Sequence, residues 1–68
     1  MKIVNVDEDG VTIIISLAEL DFLRQGMREM LEALSDKEIK IRTGNTSEQA
    51  SVLIEDIRDV LEAANKKY

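Results

Sequence analysis

Apolar positions in this chain alternate at first and then recur every three or four residues, and the changes of period divide it into elements. Lys2–Val6 and Val11–Ser16 are rich in β-branched residues and read as extended strands. Asp7-Glu8-Asp9-Gly10 between them predicts a hairpin turn, with Gly10 supplying the positive φ that closes the loop. Ser16-Leu17-Ala18-Glu19 has the spacing of a capping box and opens a helix that runs to about Leu34. Leu20, Leu23, Met27, Leu31 and Leu34 form its core stripe, and Ser35-Asp36-Lys37 breaks it. Glu38-Ile39-Lys40-Ile41-Arg42 alternates with period two and predicts a half-buried strand with Ile39 and Ile41 inward. After a turn at Thr43-Gly44-Asn45, Thr46-Ser47-Glu48-Gln49 is a second capping box. It opens a last helix to about Ala64, with Ala50, Leu53, Ile54, Ile57, Val60, Leu61 and Ala64 as its stripe.

The expected fold is therefore α+β, a two-layer ββαβα sandwich in one domain over residues 1–68. A three-stranded sheet carries both helices on one face. Strand order 2-1-3 is favoured and 1-2-3 is the alternative, with a right-handed crossover if the third strand is parallel to the second.

That fold has more apolar surface than two layers hide. Ile13, Ile14 and Ile15 are consecutive and cannot all face the helices. With Val11, Ile13 and Ile15 inward, Ile14 lies outside with Val4 and Val6, and Lys40 and Arg42 give that outer face a basic margin. On the first helix Phe22, Gly26, Met30 and Ala33 form a second stripe. Gly26 there costs about 1 kcal/mol and suggests close approach of another backbone. Val4, Val6, Ile14, Phe22 and Met30 are the apolar candidates for a partner site. Exposed β-branched residues also follow from strand propensity alone, and Phe22 could simply cover the sheet edge.

Composition narrows the chemistry. The 68 residues include no His, Cys, Trp or Pro. No thiol or imidazole chemistry is available, and no acidic cluster has the spacing of a metal site. The expectation is no catalytic, cofactor-binding or metal-binding residue, and no enzyme activity. Fourteen acids against nine bases give a net charge of −5, which disfavours nucleic acid and suits a basic protein partner, although it also serves ordinary solubility. Glu55, Asp59 and Glu62 share one solvent face of the last helix and are the strongest charge candidates. Asp7, Glu8 and Asp9 come second and lack the ligand spacing of a calcium loop. The longest apolar run is strand-sized and no signal peptide opens the chain, so the expected location is the cytoplasm, without membrane contact.

The segment Ile41-Arg42-Thr43-Gly44-Asn45-Thr46-Ser47-Glu48-Gln49-Ala50, followed by Leu53, Ile57 and Leu61, resembles small bacterial immunity proteins of polymorphic and contact-dependent toxin systems. The resemblance covers the chain in outline and about ten residues in detail. It implies a non-catalytic inhibitor that binds a cognate toxin domain tightly. The other expectation is a homodimeric structural or regulatory domain whose symmetric contact covers Val4, Val6 and Ile14.

Overall fold

The computed structural model describes residues 1–67, and Tyr68 lies outside them. The order of elements is ββααα: β1 (Lys2–Asp7), β2 (Gly10–Ile14), α1 (Leu17–Ala33), α2 (Asp36–Thr43) and α3 (Ser47–Lys67). The predicted third strand is a helix, so the three-stranded ββαβα sandwich and both strand orders are overturned. The only sheet among the described residues is the two-stranded hairpin.

Residues 38–42 coil because of their flanks. Ser35 is the N-cap of α2, and its Oγ accepts from the Glu38 amide at 3.2 Å. Ser35-Asp36-Lys37-Glu38 thus starts a helix where it was expected only to end one. At the other end Gly44 adopts φ 76°, a left-handed C-cap, and its amide donates to the Lys40 carbonyl at 2.9 Å. The Lys40 ammonium donates to the Gly44 carbonyl at 3.0 Å, and Arg42 lies 3.8 Å from Glu38 one turn back. Both basic residues are therefore on α2 and give no margin to a sheet. Ile39 and Ile41 are two apart, which is one face of a strand but about 200° on a helix. Ile39 is 1% exposed and Ile41 is 72% exposed.

The other local expectations hold. Ser16 and Glu19 form the reciprocal box at the start of α1, each bond 3.1 Å. Thr46 and Gln49 form the second, at 2.8 and 3.1 Å. Asp7 Oδ1 accepts from the amides of Asp9 (2.8 Å) and Gly10 (3.1 Å), closing the hairpin turn, with Gly10 at φ 155°.

α1 and α3 pack as an antiparallel pair, and α2 lies against both. Ile39, Ala50 and Ile54 are the buried apolar residues among those described. Neither strand packs on a helix, contrary to the expected two layers. β2 reaches α1 through Ile15 and Ser16 alone, and the Met1 amino group meets Glu19 at 3.1 Å. The result is a slab with extents of 37 × 30 × 16 Å. A helix with its side chains is about 10–12 Å across, so the slab is little more than one helix thick. The Cα radius of gyration is 13.7 Å, against about 11 Å for a compact domain of this length.

Candidate functional site

The apolar arc of α3 explains why a single layer leaves so much exposed. Its seven apolar positions span about 120° at 100° per residue, wider than one helix–helix seam. Ala50, Ile54 and Leu61 turn toward α1. Leu53, Ile57, Val60 and Ala64 line the adjacent flank, where Leu53 is 50% and Val60 55% exposed. On α1, Leu20, Met27 and Leu31 point at α3, while Leu23, Met30 and Leu34 occupy the flank beside them. Because the helices are antiparallel, the two flanks lie on the same broad side of the slab. A shallow depression lined by Met27, Met30, Ala50 and Leu53 joins them, with Thr43, Asn45 and Gln49 at its polar end. The opposite broad side is mixed, with Arg24, Arg28, Ser51, Glu55 and Arg58 around Leu31 and Ile54.

The hairpin carries a second apolar surface. Ile3 pairs with Ile13 and Val6 with Val11, and directly opposed residues of an antiparallel pair share a face. The register shifts between Ile3 and Asn5, so Val4 sits at a β-bulge. That extra residue brings Ile3 and Val6 to the same side although they are three apart. Lys2, Asn5, Thr12 and Ile14 form the other, mixed face. Ile3, Val6, Val11 and Ile13 are all exposed, with no helix beneath them.

The candidates named from the sequence fall in different places. Val6 lies on the apolar ribbon face and Ile14 on the opposite one, so the set Val4, Val6 and Ile14 does not form one patch. Phe22 is 76% exposed, beside Met1, Ala18 and Leu23 near the start of α1. Met30 is half-buried in the apolar depression of the helix pair. Gly26 has nothing within 4 Å of where a Cβ would be, so no backbone of this chain approaches it. Glu55, Asp59 and Glu62 surround one cation: Arg58 lies 2.7 Å from Glu55, 3.9 Å from Asp59 and 3.8 Å from Glu62. The three charges thus act as a partly neutralised cluster.

Ile3, Val11, Ile13, Leu23, Leu53 and Val60 are exposed members of these surfaces that the sequence reading had assigned to strands or core stripes. The width of the α3 arc was the signal available for two of them. Glu19 is held below the usual carboxylate range, first by its hydrogen bond from the Ser16 amide and then by the Met1 amino group. Among the described residues no group of His, Cys, Asp and Glu has the geometry of a metal site, and no helix is long and apolar enough to cross a membrane. No protein-family model, curated protein or solved structure matches the chain.

Proposed function

We propose that this chain is a non-catalytic association module that completes its fold against another polypeptide. The observation that carries the reading is the area left in water. The chain exposes 5556 Å², whereas a compact monomer of 7.7 kDa exposes about 4,300 Å². The excess is about 1,200 Å², and the exposed surface includes the apolar ribbon face and the apolar side of the helix pair. Stable domains pack two layers of secondary structure around a core, and here ribbon and helices do not pack on one another. A two-stranded ribbon is also marginal in water without a further strand or a helix against it.

The toxin inhibitor implied by the resemblance is a second form of this reading. The net charge of −5 favours it, because opposite fields speed encounter with a basic domain. The grip of Arg58 on Glu55, Asp59 and Glu62 weakens the strongest part of that field. Light scattering on the chain, alone and with the product of the adjacent gene, tests association. A mass above 7.7 kDa in either sample supports it. The 7.7 kDa species in both, with no binding of a hydrophobic dye, contradicts it.

A further inference from the structure

Resting on the association reading, we propose that the partner is a second copy of this chain, and that the two copies exchange hairpins. The apolar face of each β1–β2 ribbon lies across the apolar side of the other copy's α1–α3 pair. The chain holds both halves of a two-layer sandwich and joins neither to the other. The ribbon face of Ile3, Val6, Val11 and Ile13 lacks helices, and the helix flanks bearing Leu23, Met30, Leu53 and Val60 lack a sheet. A two-fold axis matches each surface to its complement twice, as an isologous interface requires.

The dimensions agree. Strands of five and six residues span about 16–20 Å, and two strands lie about 5 Å apart. Helices of 17 and 21 residues present flanks about 25–31 Å long, with axes about 8–10 Å apart. The ribbon therefore fits along the seam. The area agrees as well. An excess of about 1,200 Å² per chain bounds the area a pair can bury at roughly 2,400 Å², and the roughly 1,600 Å² of a standard interface lies inside that bound. Each copy carries a net charge of −5, so apolar burial has to offset a like-charge repulsion that salt screens.

In this structure the ribbon stands off its own helices. Only Ile15 and Ser16 link β2 to α1, and Ser16 is fixed by three bonds. Its carbonyl accepts from the Leu20 amide at 3.0 Å, its Oγ accepts from the Glu19 amide, and its own amide donates to the Glu19 carboxylate. The Met1 amino group on the same carboxylate tethers the start of β1. Of these bonds only the exposed Met1–Glu19 pair reaches the ribbon, so closure of the ribbon onto its own helices is the outcome the test has to separate from exchange.

The test is an equal mixture of isotope-labelled and unlabelled full-length chains. Isotope-filtered NMR detects methyl contacts between chains, and sedimentation equilibrium gives the mass. The expected result is a dimer with intermolecular contacts from Val6, Val11 and Ile13 to Leu23, Leu53 and Val60. Val6→Lys with Val11→Lys is expected to weaken the dimer by at least about 100-fold. Helicity of the variant should fall on dilution at concentrations where the unsubstituted chain keeps its own, because folding is linked to association. A monomer with the same contacts inside one chain overturns the proposal in favour of self-closure. A dimer joined ribbon to ribbon or helix to helix overturns the exchange and leaves the association reading standing. A monomer with none of these contacts overturns the second copy and leaves association to be decided with the adjacent gene product.

Discussion

Replacing Ile39 with Ala separates the helical placement of residues 36–43 from a strand more sharply than any other single change. Ile39 is 1% exposed and is the largest fully buried side chain among the described residues. The substitution removes three carbons, worth about 2.4 kcal/mol at ~0.8 kcal/mol each. A residual cavity of roughly 60 Å³ adds about 1.5 kcal/mol at ~24 cal/mol per Å³. The expected loss is therefore about 4 kcal/mol, a large part of the whole stability of so small a domain. Ile41→Ala at a 72% exposed site should change stability by less than about 0.5 kcal/mol. On a half-buried strand both isoleucines share the inner face, and the two losses would be similar. Urea unfolding followed by circular dichroism at one fixed chain concentration measures both. Losses within about 1 kcal/mol of each other would refute the helical placement.

Other outcomes follow from single sites. Gly26→Ala should raise stability by about 1 kcal/mol, because a Cβ there meets open space and helical glycine is costly; a loss in thermal unfolding would mean that another chain's backbone approaches this turn. Ser35→Ala should cost about 1 kcal/mol through the lost N-cap and should reduce helicity in α2, read by amide exchange of residues 36–43; unchanged exchange would count against the cap. Glu19 titrates lower in the folded chain than in the unfolded one. Its contribution is therefore complete above the usual carboxylate range and is lost as pH falls through the lowered value. Carboxyl-carbon NMR of Glu19 should show that lowered midpoint; a midpoint at the ordinary glutamate value would contradict the Ser16 amide and the Met1 amino group as its causes.

Turn and cap chemistry was legible in the sequence because it is local. Asp7-Glu8-Asp9-Gly10, Ser16–Glu19 and Thr46–Gln49 each form the contacts their spacing implies. The stretch 38–42 was not, because five alternating residues fit either a strand or a short helix with one buried side chain. The deciding residues, Ser35 and Gly44, lie outside the alternation. The relation of the hairpin to the helices was not legible either. It depends on a bulge at Val4 and on a two-residue junction, and hydrophobic periodicity reports neither. The surplus of apolar residues was visible, but its division between a ribbon face and a helix flank needed the register. The acidic stripe was visible as well, with Arg58 beside it to blunt the field, and the structure adds the reach of that side chain to all three carboxylates.

The central claim is that the ribbon and the helices of one chain do not pack on each other and gain stability by packing on another chain. The midpoint of thermal unfolding as a function of chain concentration tests it most directly. Self-association links folding to mass action, so the midpoint should rise steadily as the chain is concentrated from about 1 to 100 μM, and unfolding should be broad or incomplete at the dilute end. A sharp, cooperative midpoint that is independent of concentration over that range would show that the single layer is stable alone, and would contradict the account.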